Sequence, residues 1–136
     1  MRTLLMFPLI AILAGCVSGP PSAATLKYQA NEKAKLETAL AGKTAGKPQS
    51  CIRSRDASGP ESFGENTLVF RVSKKLSYVN ETRGSCKDIG NGRALIIRSF
   101  GGGDLCRGDI ASSADLSAGF ETGHCSFGDF VPYRGG

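Results

Sequence analysis

From Ser50 onward, short apolar segments alternate with turns rich in Gly, Pro, Asn and Asp. The segments are enriched in β-branched and aromatic residues, and TLVFRV places Leu68, Phe70 and Val72 at every second position. This period of two is typical of a strand with one buried face. Six segments share these features: CIRSR, TLVFRV, LSYVN, ALIIRSF, LCRGDI and SFGDFVPY. They predict a mainly β domain over residues 50–136, built as a small antiparallel sheet or a partly open barrel.

Two of the connections between these segments have recognisable turn residues. Lys74 and Lys75 separate TLVFRV from LSYVN, where they can form the turn of a hairpin. The three glycines at 101–103 permit positive φ angles, so they predict a tight connection from ALIIRSF into LCRGDI.

The segment LKYQANEKAKLETALA, residues 26–41, predicts a single N-terminal helix. It contains strong helix formers without Gly or Pro, and Gly42 follows as a C-cap. Its apolar stripe is thin, because only Leu36 and Leu40 share a face. We therefore expect a loosely attached helix that is dispensable for folding, with residues 26–49 forming helix and linker before the β domain.

The first sixteen residues have the layout of a bacterial export signal. Arg2 precedes an uncharged apolar run over residues 4–13, which is well short of the about 20 residues that a membrane-spanning helix needs. The LAGC that follows resembles the bacterial lipobox. This resemblance implies a signal peptide over residues 1–15, cleavage before Cys16, and attachment of lipid, including palmitate, to Cys16. The alternative is an ordinary secretory signal cut after the SAA of residues 22–24, which would release a soluble protein.

Residues 16–25 predict the position of the anchored protein. They contain Pro, Gly and Ser without charge, which is typical of a tether. Val17 and Ser18 follow Cys16, and Asp, which retains many lipoproteins at the inner membrane, is absent next to Cys16. A lipoprotein signal of this kind implies the outer membrane, with the domain facing the periplasm.

The five cysteines predict two disulfides. Cys16 is assigned to lipid, which leaves Cys51, Cys86, Cys106 and Cys125 in an oxidising compartment. Their spacings of 35, 20 and 19 positions contain no C-x-x-C pair, which argues against a zinc site. Four cysteines allow three pairings; the shortest loops favour Cys51 with Cys86 and Cys106 with Cys125.

The charge pattern limits the possible partners. The chain carries a formal net charge of +5, and its basic residues are scattered without interleaved aromatic residues. This distribution argues against a nucleic-acid interface. It favours weak attraction to anionic lipid headgroups or to the acidic cell-wall polymer. The expected partners are the membrane, through the lipid anchor, and the cell-wall polymer or another envelope protein.

Candidate catalytic residues surround the last two cysteines. His124 lies beside Cys125, but a thiolate nucleophile would require an unpaired cysteine, and adjacent strand residues point to opposite faces. Asp104, Asp109 and Asp129 each lie beside a glycine or a turn, where Asp commonly accepts from backbone amides. For Asp109 we expect such a capping role at a strand end. The sequence predicts no catalytic residues, metal site or cofactor.

Five segments resemble a family of small exported proteobacterial proteins known only as a domain of unknown function. They are SCIRSRD (50–56), TLVFR (67–71), YVN (78–80), LCRGDI (105–110) and GHCSFGDFVPY (123–133). The resemblance covers roughly residues 50–133 and implies no particular activity. We expect a cell-envelope lipoprotein with a non-catalytic binding or structural role, acting through a barrel face or the loops around Gly101 to Asp104. The alternative is an enzyme that acts on envelope material through Asp104, Asp109 and His124.

Overall fold

The computed structural model describes residues 19–99 and 102–136. Over these residues the chain forms one α-helix and eleven β-strands, which confirms the predicted mainly β fold with an N-terminal helix. The predicted signal peptide, Cys16 and Gly101 lie outside the described residues.

Five strands form the larger sheet, which is antiparallel throughout. Its strands are β1 (Lys43–Ala45), β3 (Pro60–Phe63), β4 (Thr67–Ser73), β5 (Leu76–Glu81) and β11 (Phe130–Gly135). Their spatial order is β1-β11-β5-β4-β3. The β4–β5 hairpin turns at Lys74 and Lys75, as predicted, and its register places Val69 opposite Val79.

A second sheet of four strands and a two-stranded ladder complete the β structure. Their strands are β2 (Cys51–Arg53), β6 (Arg83–Gly84), β7 (Arg93–Arg98), β8 (Asp104–Cys106), β9 (Ile110–Asp115) and β10 (Phe120–Ser126). The sheet has the order β6-β10-β9-β7, and β2 pairs with β8. A short 3-10 turn, Ser54–Ala57, follows β2. Across residues 19–99 and 102–136 these sheets do not close into a barrel.

The glycine-rich connection has the predicted backbone conformation, with φ of 47° at Gly102 and 122° at Gly103. However, β7 and β8 do not pair with each other, because β7 pairs with β9 and β8 pairs with β2.

Ile89 connects the two larger sheets along one edge. Its carbonyl accepts from the backbone N–H of Ser62 in β3, and its own N–H donates to Ser62 Oγ, both at 3.0 Å. Ile89 also bridges to Arg93 at the start of β7. The next residue, Gly90, donates its N–H to the carbonyl of Arg93 at 3.1 Å, so Ile89 and Gly90 together link the edges of both sheets, and Ile89 is buried.

The main core lies between the sheets and is built around three phenylalanines. Phe70, Phe127 and Phe130 are almost fully buried, with ring centroids 5.8 to 6.1 Å apart. Leu68 and Val72 pack into the same cluster, which confirms that the alternating residues of β4 share one buried face. Aromatic pairs at such distances stabilise a core by about 0.5–1.5 kcal/mol beyond the area they bury.

The helix α1 (Ala23–Ala39) begins earlier than predicted, within the residues assigned to the tether. Ser22 is the N-cap, and its Oγ accepts a hydrogen bond from the Thr25 N–H at 3.2 Å. Serine at this position satisfies one of the free amides of the first turn, so the helix extends back through Ala23 and Ala24.

The predicted linker also contains a strand. β1 pairs with β11, with Thr44 opposite Arg134, and Gly46 N–H continues the contact by donating to Pro132 O. Because β1 pairs through backbone groups, the polar sequence GKTAGKPQS does not indicate a strand.

The helix covers the outer face of the larger sheet. Leu36 and Leu40 are both half-buried, as the thin stripe predicts, and they pack against Val69 and Val79. Val69 is fully buried even though it points away from the main core. The larger sheet is therefore covered on both faces, with a smaller second core beneath α1 that also includes Phe63 and Tyr133.

The four cysteines form two disulfides, but the predicted pairing is wrong. The bonds join Cys51 to Cys106 and Cys86 to Cys125. Cys51 lies directly opposite Cys106 in the β2–β8 ladder, with their Cα atoms 4.0 Å apart. In the β6–β10 ladder Cys125 lies opposite Gly84, and Cys86 follows Gly84 by two positions, at a Cα separation of 5.6 Å from Cys125. Strand pairing, rather than loop length, determines which cysteines meet.

Candidate functional site

The predicted nucleophile pair does not form. Cys125 is buried and disulfide-bonded, whereas the His124 side chain is 70% exposed on the other face of β10. The nearest acid to His124 is Glu121, with Nδ1 3.8 Å from Oε2, and Glu121 also pairs with Arg98 at 3.0 Å. No thiolate is available beside this histidine.

Asp109 has the structural role predicted for it. The carboxylate is buried, and its Oδ2 accepts a hydrogen bond from the Cys106 N–H at 2.8 Å. The intervening Gly108 has a φ of 92°, which places the chain in a tight turn between β8 and β9. Asp109 therefore holds the end of β8, next to the Cys51–Cys106 bond.

The other predicted acids have different surroundings. Asp129 lies 3.1 Å from the guanidinium of Arg107, and Asp104 is exposed. In the described part of the chain, no three His, Cys, Asp or Glu side chains are arranged to hold a metal ion.

A small cavity of about 280 Å³ adjoins the predicted loop region. Gly103 and Asp104 lie on its wall, next to Ile97, Leu105 and the 3-10 turn. Part of the loop around 101–104 thus borders a concave surface, and Gly101 lies outside the described residues.

A larger groove of about 390 Å³ lies between α1 and the β3–β4 hairpin, and it is partly open to solvent. One wall is a face of the helix, in which residues three or four positions apart line up. The other wall is the hairpin turn. The lining residues are Thr25, Tyr28, Gln29, Glu32, Lys33 and Leu36 from the helix, and Phe63, Gly64, Glu65, Asn66 and Thr67 from the hairpin.

Glu32 fixes the two walls of this groove to each other. Its Oε2 accepts from the Gly64 N–H at 3.0 Å, and its Oε1 accepts from Lys35 Nζ at 2.7 Å. Gly64 has a φ of 73°, a conformation that a hairpin turn requires and that favours glycine. Leu36 and Phe63 add apolar contact beneath this bond, through the second core.

The hydrogen bonds of Glu32 also set its charge state. The hydrogen bond from Lys35 has the largest effect and lowers the pKa of the Glu32 carboxyl; burial opposes it, and the hydrogen bond from Gly64 and the charge of Lys35 lower the pKa further. Glu32 is therefore ionised at neutral pH.

The pKa of Tyr28 is raised, in contrast to that of Glu32. Partial burial raises the pKa of its hydroxyl, and neighbouring carboxylates, those of Glu32, Asp88 and Glu65, raise it further. The phenol consequently stays protonated over the physiological range and can donate a hydrogen bond into the groove.

Several polar groups of the groove have no partner among the described residues. The side chains of Tyr28, Gln29, Lys33 and Glu65 form no hydrogen bond or ion pair within residues 19–99 and 102–136. Asn66 donates through Nδ2 to the carbonyl oxygens of Thr82 and Gly84, which leaves its Oδ1 unused. The groove thus presents donors and acceptors that only solvent or a ligand can satisfy.

Sequence reasoning missed this groove, because its two walls are more than 25 positions apart in the chain. The available signal was the row of polar residues at helical spacing, Thr25, Gln29 and Lys33, which lies on the same helix face as the apolar Leu36 and Leu40. That row is indistinguishable from an ordinary solvated helix face until the hairpin is placed beside it.

Comparisons with known proteins give no relative: no protein-family model, curated protein or solved structure matches this chain. Within the described residues, no helix has both the length and the apolar character required to cross a membrane.

Proposed function

We propose that this protein is a bacterial cell-envelope lipoprotein that binds a ligand at the periplasmic face of the outer membrane and does not catalyse a reaction. The observation that carries the proposal is LAGC at residues 13–16, placed directly after an apolar run of signal-peptide length. Membership of the exported proteobacterial family that residues 50–133 resemble is part of the same proposal.

The disulfides support an exported location. Cys51–Cys106 and Cys86–Cys125 together use every cysteine of the β domain. Such bonds persist in oxidising compartments such as the periplasm and are rare in the cytosol.

The roles of the candidate catalytic residues support binding over catalysis. Asp109 caps a strand end, Cys125 is cross-linked, and His124 lies on an open sheet face. By contrast, the groove beside α1 combines concavity with unpartnered polar groups, which is the character of a ligand site.

The short distance from the lipid to the domain supports a role close to the membrane. Only seven positions separate Cys16 from Ala23, where α1 begins. A fully extended chain of that length spans at most about 25 Å. The groove lies along the first turns of α1, so an anchored protein would hold it near the bilayer surface.

Lipid attachment is tested by metabolic labelling with an alkyne fatty acid. The wild-type protein should be labelled and fractionate with the outer membrane, whereas Cys16→Ser should lose the label. Cys51→Ser is the matched control, since it removes a cysteine but keeps the lipobox, and it should remain labelled. Equal labelling of wild type and Cys16→Ser would contradict the proposal.

The non-catalytic role is tested with isolated cell-wall material. The purified protein should sediment with it without releasing soluble fragments. Release of fragments that is lost in Asp104→Asn or His124→Gln would instead support the enzyme hypothesis.

A further inference from the structure

We propose that the groove between α1 and the β3–β4 hairpin binds a neutral saccharide bearing hydroxyl and acetamido groups, the chemistry of cell-wall glycan. This inference rests on the proposed function, since it names the ligand class of an envelope-binding protein. It draws on the shape of the groove, its hydrogen-bonding groups, its apolar surfaces and its charge.

The shape suits part of a chain rather than an enclosed small molecule. The volume of about 390 Å³ falls within the range of about 300–1,000 Å³ typical of ligand sites. Because the groove is partly open to solvent, a sugar unit can occupy it while the rest of the polymer remains in solvent.

The unpartnered groups of the groove complement hydroxyl groups. A sugar hydroxyl donates one hydrogen bond and accepts up to two. Lys33 and the Tyr28 hydroxyl can donate, and Glu65 can accept. Gln29 can do both through its amide, which also matches the N–H and C=O of an acetamido group.

The groove also contains surfaces for the apolar parts of a sugar. Tyr28, which is 41% exposed, presents an aromatic ring beside the polar groups. Leu36 and Phe63 line the same groove from opposite walls. Aromatic rings with a polar tip suit ligands that are apolar on one side and hydrated on the other, as the C–H face and hydroxyl edge of a sugar ring are.

The charges of the groove disfavour other ligand classes. The lining carries two carboxylates, Glu32 and Glu65, against one cation, Lys33, so on balance it would repel phosphate or a nucleotide. An acyl chain would cover the polar groups named above without satisfying them, which is unfavourable. A neutral, hydroxyl-rich ligand is not repelled by the carboxylates, and it can satisfy the polar groups.

The inference is tested by nuclear magnetic resonance on the complete lipidated chain in detergent micelles. The probe is a β-1,4-linked tetrasaccharide of N-acetylglucosamine, titrated to about 10 mM so that millimolar affinity is measurable. Saturable amide shifts are expected at Tyr28, Gln29 and Asn66, with residues of the four-stranded sheet unaffected. A second titration with the core oligosaccharide of lipopolysaccharide distinguishes the two envelope sources of such sugars, because that oligosaccharide is rich in anionic groups and should bind more weakly.

Variants of α1 sharpen the test. Gln29→Ala should weaken tetrasaccharide binding about fivefold or more, the loss expected for a hydrogen bond to a neutral group. Lys27→Ala lies on the same helix outside the groove and should bind as wild type. Unchanged melting of both variants confirms that the fold is intact.

Three outcomes would overturn the inference: absence of shifts, shifts confined to other surfaces, or equal binding by Gln29→Ala and wild type. Because lipid labelling at Cys16 is a separate measurement, a labelled protein that binds no saccharide would reject this inference and leave the envelope location standing. An unlabelled protein that binds the tetrasaccharide would reject the lipid attachment at Cys16 and support saccharide binding in the groove.

Discussion

The carboxylate of Glu32 in α1 accepts a hydrogen bond from the backbone N–H of Gly64 in the β3–β4 turn, at 3.0 Å. The two residues are 32 positions apart, so this bond sets the position of the helix on the sheet. It lies on the wall of the groove and above the second core. The stability of the helix attachment and the shape of the groove therefore depend on the same carboxylate.

The first prediction concerns the loss of this bond. Glu32→Ala should reduce the free energy of unfolding by about 1 kcal/mol, the typical net value of one hydrogen bond. Urea denaturation followed by circular dichroism measures the change. Glu37→Ala is the matched control, because Glu37 is exposed on the same helix, and it should be close to neutral. Equal effects of the two substitutions would show that the Gly64 bond contributes nothing to stability.

The second prediction is the pH dependence of the same interaction. Because the pKa of Glu32 is lowered in the folded state, its contribution to stability is present above its unfolded pKa and is lost as the pH falls through the folded value. The wild-type protein should therefore lose stability in the acidic range more steeply than Glu32→Gln, whose side chain does not titrate. Melting temperatures recorded between about pH 2 and 7 measure this difference, and parallel curves would contradict the assigned ionisation.

The third prediction concerns the two disulfides. Cys86 and Cys125 are both almost fully buried, whereas Cys51 is exposed and Cys106 half-exposed. Mild reductant should therefore open Cys51–Cys106 first, since a thiolate must reach the sulfur that it attacks. Peptide mapping by mass spectrometry, with alkylation at successive times, identifies the order. In the same experiment, any pairing other than 51–106 and 86–125 in the untreated protein would contradict the fold.

Removal of either disulfide should also cost stability. The bonds enclose 55 and 39 residues, and the chain-entropy relation gives about 4 kcal/mol for each. The double variants Cys51→Ser with Cys106→Ser, and Cys86→Ser with Cys125→Ser, should both lose several kcal/mol in urea denaturation.

The fourth prediction separates a structural from a catalytic role for Asp109. Asp109→Ala should lower the free energy of unfolding by about 1–3 kcal/mol, because it leaves the Cys106 amide without its acceptor. Asp104→Ala, at an exposed position three residues before the turn, should change it by less than about 0.5 kcal/mol. Thermal melts of both variants measure these changes. Equal stability of the two variants would contradict the capping role of Asp109.

Local sequence patterns predicted the parts of this fold that depend on neighbouring residues. The alternation of Leu68, Phe70 and Val72 identified the buried face of β4, and Lys74 and Lys75 identified its hairpin. These features depend on a period of two and on turn chemistry, which act within a few residues.

The features that the sequence did not predict depend on segments far apart in the chain. The disulfide pairing follows from the β2–β8 and β6–β10 ladders, and the β1–β11 contact uses backbone atoms of any sequence. The groove requires α1 to lie beside the β3–β4 turn, where Glu32 meets Gly64 and Leu36 packs in the second core. Each of these features depends on contacts between segments far apart in the chain, which local periodicity does not specify.

The last prediction concerns the independence of the β domain from the helix. The main core contains no residue from α1, and neither disulfide involves a residue of the helix. A chain beginning at Lys47 should therefore fold in an oxidising compartment with the same two disulfides and a cooperative melt, as expected from the thin apolar stripe. The structure also predicts that this shortened chain is less stable, because Leu36 and Leu40 cover Val69 and Val79 in the longer chain and because β1 is removed as well.

The size of this loss of stability follows from the apolar area that removal of the helix exposes. Two half-buried leucines contribute about 2–3 kcal/mol together, and exposure of Val69 adds to that value. We expect the truncated chain to be less stable than a chain beginning at Ser22 by about 3–4 kcal/mol in urea denaturation. Since Ser22 is the N-cap, this longer chain keeps α1 complete and is the matched control. A truncated chain that is unfolded, or in which the disulfides are scrambled, would place the helix within the folding core and contradict the division of the chain into a tether, a helix and an independent β domain.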